Sequence, residues 1–437
     1  MPHCEIRRLY TVGQMQPTRP AAAVAEEAFS LDYLLWLTHW MGSMRHPRAS
    51  TWSTRLFYVR QFLVAGTFLY FSTTQAIVLV REGAEDLARF TITMSLCDTG
   101  TTWLYRLSHI TIHESDFHRL AEQVGLDFGR FMTSRDEPLL RTRGRALKRF
   151  VQGYIALGVV DALMWFLSPI KGGDGLPLVV LLPFDISRTF PFVAAWLLCA
   201  FATVHAVVVT IVTDSFNVSL IAQLRMQLIL LSRNICELSR DVERGTKRRV
   251  SLNGSEKTPY PEVDVHYIGD TYQHDKSSLD CMDVKESVHP SDLSEARCLL
   301  LRNILHHQAI ISNVNYLQRS VGGMILAQSL SLGAAICFLL FMIGTSAQGA
   351  RETGKFCGYT CAMFTELFVY CWFGDQLMSE SEKVALSVYD AVTSLLEYPA
   401  SIKRSLLLLM HRAQRPLCIT AAGFFPLSRE SFVSILN

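Results

Sequence analysis

"MILAQSLSLGAAICFLLFMIG", Met324–Gly344, carries no charged residue anywhere along its length. A helix that crosses a bilayer needs about 20 mainly apolar residues. This stretch therefore predicts a membrane span, placed at 321–345. Working outward, similar blocks recur at 56–80, 147–167 and 191–213. The block at 87–110 is interrupted by Asp98 and Arg106, and the one at 356–373 is short but rich in aromatic residues. These make six spans, and a seventh is expected to start within 427–437. Half of the 437 residues are apolar and only 18% are charged, against about 25% in an average globular chain. The fold class that follows is an all-α membrane protein, a seven-transmembrane helical bundle.

The placement of Lys and Arg orients the bundle, because cytoplasmic loops carry an excess of both. Arg45, Arg48 and Arg55 precede the first span, and Arg119, Arg130, Arg135, Arg141, Arg143 and Arg145 follow the second. Further basic residues fill 232–302, and Lys403, Arg404, Arg412 and Arg415 precede the last span. The alternate loops are poor in them, with Arg81, then Lys171 and Arg188, then Arg351 and Lys355. The N-terminus (1–55) is thus expected to be cytoplasmic, as are 214–320 and 374–426. This orientation is the reverse of that of a G-protein-coupled receptor. Before the first span, "FSLDYLLWLTHWMGSM" at 29–44 is amphipathic, and an interfacial helix with Trp36 and Trp40 at headgroup level fits it. The polar run at 239–294, which includes "ERGTKRRVSLNGSEKTP", reads as a disordered insertion. Helical spacing resumes with Leu300, Ile304, His307 and Ile311 on one face, and Val384, Val388 and Val392 repeat it later. Long cytoplasmic helical extensions follow from these patterns.

Catalytic signatures are missing: there is no GxxxxGK[ST], HExxH or GxSxG, so neither an enzyme nor a cofactor or metal site is expected. The adjacent pair His306–His307 would point about 100° apart on a helix, which suits a helix contact better than one shared ion. The 11 cysteines form no CxxC pair, and Cys199, Cys337 and Cys371 sit in apolar blocks as small hydrophobes. Arg248-Arg249-Val250-Ser251 has two readings, a kinase site and a solvated basic stretch. A net charge of +2 gives no case for nucleic acid. Ionisable groups inside spans are functional candidates. Asp161 is read either as a polar anchor for a ligand hydroxyl or amine, or as a hydrogen-bonded core carboxyl, and Asp98 and Glu366 are read as core carboxyls. Aromatic residues gather at the same level in the outer halves of the spans: Phe90, Trp165, Phe192, Trp196, Phe356 and Tyr359. They could line a pocket for a small hydrophobic ligand or serve as plain core and lipid-facing rings.

The last third adds a specific pattern. "LLLRNILHHQAIISNVNYLQ" (Leu299–Gln318), "WFGDQLMSESEKVALSVYDA" (Trp372–Ala391) and "LMHRAQRPLCITAAGFFPLSRESFVSIL" (Leu409–Leu436) together resemble the insect odorant receptor family. The resemblance covers about 299–437. It implies a ligand-tuned subunit that assembles with the odorant receptor coreceptor into a heterotetrameric, ligand-gated, non-selective cation channel. The location implied is the plasma membrane of an olfactory neuron dendrite. Arg412, Gln414, Arg415 and Pro416 would belong to the cytoplasmic subunit anchor, and Phe432, Ile435 and Leu436 would line the pore. Small volatile odorants would bind among Phe90, Met94, Gly158, Asp161, Trp165, Phe192, Trp196, Tyr359 and Met363. An Asp at 161, where the family usually places a small or neutral residue, hints at a more polar ligand.

The final helix is expected to start at Pro426-Leu427-Ser428 and to run about three turns before Asn437. Family members continue further, so the chain is expected to be a fragment that stops partway into its pore helix. A gustatory receptor channel subunit is the nearest alternative, although its TYhhhhhQF-like ending is absent. A G-protein-coupled-like chemosensory receptor would need DRY- and NPxxY-like elements, which are also absent. The two candidates for glycosylation, Asn217-Val218-Ser219 and Asn253-Gly254-Ser255, fall on the cytoplasmic side in this orientation. Endoglycosidase treatment of the cell-expressed protein is expected to leave its gel mobility unchanged; a shift that maps to Asn253 would reverse the orientation.

Overall fold

The computed structural model describes residues 35–36, 38–39, 44–45, 50–82, 87–167, 176, 178–253, 290–345, 350–394 and 399–436. Helices dominate. They are α1 (Thr51–Glu82), α2 (Leu87–Ile112), α3 (Glu114–Phe131), α4 (Glu137–Leu167), α5 (Thr189–Asn253), α6 (Pro290–Thr345), α7 (Ala350–Ser394), α8 (Ala400–Ala413) and α9 (Arg429–Leu436). A two-stranded hairpin, β1 (Thr420–Ala421) and β2 (Phe425–Pro426), stands between α8 and α9. The interfacial helix expected at 29–44 lies largely outside the described residues, of which Leu35, Trp36, Thr38 and His39 are helical.

Among the described residues, four stretches are long and apolar enough to cross a membrane: Thr51–Arg81, Thr189–Leu238, Ala296–Gly344 and Phe356–Ser394. Helices α2 and α4 cover the residues expected for spans two and three. Neither reaches that level of apolarity, because α2 carries Arg89, Asp98 and Arg106 and this part of α4 carries Lys148, Arg149 and Asp161. One expectation needs correction. The sequence predicts a disordered insertion from Ser239, yet α5 continues as helix to Asn253. The stretch "DVERGTKRRVSLN" is polar but contains no Pro and several good helix formers, so it extends a helix that is already nucleated. Of the rest of that insertion, expected to reach Ser294, 254–289 lies outside the described residues and 290–294 already belongs to α6.

The chain divides into two compact units, one comprising Met1–Leu230, Gln308–Ser381 and Pro416–Asn437 and the other Leu231–His307 and Glu382–Arg415. In the second unit α8 buries Ile402, Leu406, Leu409 and Ala413, which share one face at helical spacing. His306 and His307 are both buried there, in keeping with a helix contact, and no cluster of metal ligands occurs among the described residues. Arg412 is half-buried and donates to the Arg415 carbonyl at 3.3 Å, while Gln414 and Arg415 are exposed.

In the first unit α1 and α2 pack along each other. Helix α3 is strongly amphipathic, burying Phe117, Leu120, Ala121 and Val124. It docks on α6 through Asp116, which accepts from the Tyr316 hydroxyl at 2.9 Å, and through Asp127, which accepts from the Asn313 amide at 2.8 Å. Burial lifts the Asp127 carboxyl above its usual pKa despite that bond. Asn217, one of the two sequon residues, is buried in α5 and donates to the Tyr370 hydroxyl at 3.2 Å.

The chain reaches α9 through a tight turn. Ala422 and Gly423 take φ values of 50° and 86°, the signs that a type I′ turn requires at its two central positions. Gln318 on α6 clamps the hairpin from both sides: its amide donates to the Thr420 carbonyl (2.8 Å) and hydroxyl (2.9 Å), and its oxygen accepts from the Thr420 N–H (2.6 Å). At Gly374 on α7 the backbones run so close that a Cβ would lie 2.5 Å from the Leu427 carbonyl oxygen. The last helix starts at Arg429, later than the sequence suggested, because Pro426 is held in β2 and Ser428 is the cap, its hydroxyl accepting from the Ser431 N–H at 3.1 Å. Arg429 then pairs with Asp375 at 2.7 Å and lies 5.4 Å over the Trp372 ring. Pro416 is exposed.

Gln318→Ala removes three hydrogen bonds worth about 1 kcal/mol each. Amide exchange at Thr420 and Leu427 is expected to speed up roughly 30–150-fold, with helix amides of α6 unaffected. Unchanged protection in the hairpin would show that Gln318 does not hold it.

Candidate functional site

A cavity of about 200 Å³ opens inside the first unit. Six helices wall it: α1 gives Phe68, Phe71, Ser72 and Gln75, α2 gives residues from Leu96 to Arg106, and α4 gives Tyr154, Leu157, Gly158 and Asp161. Helix α5 adds Ala202 to Ile211, α6 adds Gln328, Ser331 and Leu332, and α7 adds Tyr359, Ala362, Met363 and Glu366. Leu178, from the connection between α4 and α5, completes the described wall. On one side Phe68 stacks on Trp103 with ring centroids 3.7 Å apart, and His205 meets Trp103 edge-on at 5.5 Å. On another side Tyr359 and Thr99 share a hydroxyl–hydroxyl bond of 3.0 Å. Ser331 donates to Asp98 at 2.7 Å.

Charge enters the wall at Arg106 and Glu366. The Arg106 guanidinium contacts Asp214 on α5, donates to Glu366 on α7 at 3.2 Å and donates to the Thr210 carbonyl at 3.3 Å. Asp214 also accepts from Tyr370 at 2.7 Å and Tyr154 at 3.1 Å, and Glu366 accepts from Gln328. Arg106, Asp214 and Glu366 are 3%, 0% and 5% exposed. Helices α2, α4, α5, α6 and α7 therefore meet at one polar cluster. It suits the chain's physics: a buried charge is tolerated only when opposed and hydrogen-bonded.

Close approach of helices shapes the wall at Gly158. A Cβ added there would collide with the Ile211 side chain and lie 3.4 Å from Val207. Both α5 residues also face the cavity, so the missing side chain sets how near α4 and α5 come and how much space remains.

Of the nine ligand-contact residues expected from sequence, Gly158, Asp161, Tyr359 and Met363 lie in this wall. Phe90, Phe192 and Trp196 are half-buried and Met94 is 39% exposed; none belongs to the described wall. The Trp165 side chain lies outside the described residues. Sequence reasoning passed over Phe68, Trp103, Arg106 and Gln328. Arg106 and Asp214 did leave a signal, as charges inside otherwise apolar helices. Of the residues expected to line a pore, Phe432 and Ile435 are half-buried and pack on Leu332, Leu367 and Cys371, and Leu436 is partly exposed.

Comparison with known proteins is consistent across sequence and fold. The sequence model of the 7tm Odorant receptor family matches residues 86–437. Over 153 residues the chain is 29% identical to Odorant receptor 10 of Aedes albopictus, covering 35% of this chain and 40% of that protein. Over 132 residues it is 29% identical to Odorant receptor Or2 of Anopheles gambiae, covering 30% of this chain and 34% of that protein. The matched part therefore spans well under two thirds of these relatives' length. The fold is similar to that of the olfactory receptor OR5 from Machilis hrabei, solved in complex with eugenol, with a TM-score of 0.70 and 13% identity over 93% of this chain and 94% of that one.

Arg106→Met would leave two carboxylates buried without their cation, a change that costs about 3–5 kcal/mol. The expected result is loss of the monodisperse peak on size-exclusion of detergent-solubilised protein, with recovery when Asp214→Asn and Glu366→Gln are added. A single variant with wild-type yield and thermal midpoint would contradict this reading of the cluster.

Proposed function

We propose that this chain, which belongs to the 7tm odorant receptor family, is the odorant-binding subunit of a ligand-gated, non-selective cation channel. The family is one of receptors rather than enzymes, and the protein is a helical membrane protein. The observation that carries the channel reading is a shared wall. Leu332 borders the cavity and belongs to the apolar cluster on which Phe432 and Ile435 of α9 pack, and Met363 borders the cavity and packs on that same cluster. A small molecule in the cavity thus presses on side chains that also support the helix assigned to the pore. Gating follows as a population shift: a ligand that fits better when Leu332 and Met363 sit in the open arrangement favours that arrangement.

The cavity is smaller than the roughly 300–1,000 Å³ typical of pockets for drug-sized ligands, which suits small volatile molecules. Its wall is mainly apolar, and its polar groups include the Tyr359 and Thr99 hydroxyls, the Asp161 carboxyl and the Arg106–Glu366 pair. We assign odorant contact to Gly158, Asp161, Tyr359 and Met363, with Phe90, Met94, Trp165, Phe192 and Trp196 as further candidates. In the proposed arrangement seven spans cross the plasma membrane of an olfactory neuron dendrite with the N-terminus inside. The partner is the odorant receptor coreceptor in a heterotetramer, with Arg412, Gln414, Arg415 and Pro416 at the subunit anchor and Phe432, Ile435 and Leu436 at the pore.

The test is ligand-evoked current in cells co-expressing this chain and the coreceptor, across a broad volatile panel. Gly158→Ala is the informative variant, since its methyl takes the space that the Ile211 side chain holds at the cavity wall. Overpacking of this kind costs about 1–3 kcal/mol, so half-maximal concentrations are expected to rise roughly 5–150-fold, most for the largest ligands. Currents with unchanged potency in Gly158→Ala would remove the cavity as the odorant site. Silence across the panel despite surface expression would remove the channel reading.

A further inference from the structure

We propose that Tyr70 is a positioning residue for the cavity: by holding the Leu181 carbonyl it keeps Leu178 in the wall, and this strap sets how fast a small molecule passes in and out. The proposal rests on the reading of the cavity as the ligand site. Among the described wall residues, Leu178 alone does not sit on a helix. The others can move only with a helix of the bundle, whereas Leu178 belongs to a connection that can open by itself. Loop segments of this kind occupy the low end of the local stability scale.

Three observations describe how the strap is held. Leu178 and Val180 pack against the cluster formed by Val64, Phe68, Trp103, Cys199 and Ala202, which joins α1, α2 and α5. The Tyr70 hydroxyl on α1 donates to the carbonyl of Leu181, 111 residues away in sequence. Four residues later Asp185 closes a turn, accepting from the Ser187 N–H at 2.9 Å and from its hydroxyl at 2.7 Å, just ahead of α5. The stretch 178–181 is thus held at Leu181 by the Tyr70 hydroxyl and at Leu178 and Val180 by apolar packing, with the Leu178 backbone also hydrogen-bonded to the Cys199 thiol. Phe68 and Phe71, which flank Tyr70 on α1, both line the cavity, so the same turn of helix forms the wall and holds its cover. Loss of the hydroxyl leaves the ring and its packing in place and frees the carbonyl.

The test reads access directly and needs no identified odorant. Thr203→Cys places a thiol in the cavity wall, and 2-aminoethyl methanethiosulfonate applied to membranes is the probe. Modification at position 203 is followed by fragment-ion mass spectrometry of its peptide, which separates it from Cys199 four residues earlier as well as from the other native cysteines. In the Thr203→Cys background, Tyr70→Phe is expected to raise the modification rate about 5-fold, the equivalent of one neutral hydrogen bond. Leu178→Ala is expected to raise it further by opening the wall itself. Faster modification with Leu178→Ala but not with Tyr70→Phe would overturn Tyr70 as the residue that holds the strap. No change with either would overturn Leu178 as a barrier. Failure of the underlying ligand reading would look different: modification would accelerate as expected while volatile compounds evoked no current with the coreceptor.

Discussion

Arg106 sets one guanidinium against two carboxylates, Asp214 and Glu366, each on a different helix. The surroundings exclude water, so none of the three charges is tolerated apart from the others. Tyr154, Tyr370 and Gln328 fill remaining acceptor positions on the carboxylates. The cluster thereby ties α2, α4, α5, α6 and α7 together at one depth. It also explains why a cavity stands beside it. Arg106, Tyr154, Gln328 and Glu366 form part of the wall, and helices fixed at this polar junction cannot slide together to fill the space with apolar side chains.

The same helices carry the consequence to the end of the chain. Leu332 on α6 and Met363 on α7 border the cavity, and the apolar cluster they share holds Phe432 and Ile435. The hairpin before α9 is fixed independently, by Gln318, by Ser381 accepting from the Leu417 N–H at 2.9 Å, and by the backbone contact at Gly374. Alpha-9 thus has a rigid start and an apolar flank shared with the cavity. In the proposed channel, such an element would pivot rather than detach when a ligand shifts its apolar flank.

Much of this architecture could be read from the sequence. Residues 56–80, 191–213 and 321–345 lie inside α1, α5 and α6 because hydropathy over some 20 residues is a local property. The amphipathic spacing of Val384 and Val388 placed buried residues correctly on α7, and GFFPLS marked the turn into α9. Charge misled where its partner was remote. Arg106 looked like an interruption in a span, yet its carboxylates lie 108 and 260 residues away, and no local pattern encodes such a pairing. For the same reason Glu366 was read correctly as a core carboxyl without its partners being identified. The cavity wall mixes one or two turns from six helices, so sequence reading reached only Gly158, Asp161, Tyr359 and Met363 of it as ligand contacts. The polar run after Ser239 showed the opposite error, since low hydrophobicity there accompanies a continuing helix up to Asn253.

The central claim is that a small volatile molecule occupies the cavity beside Arg106. Photolabelling tests it most directly, using a diazirine derivative of a volatile that evokes current when this chain is co-expressed with the coreceptor, followed by peptide mapping. The account predicts adducts within 96–106, 154–161 and 359–366, suppressed by an excess of the unmodified volatile. Competable adducts confined to other segments, with these three unlabelled, would contradict it.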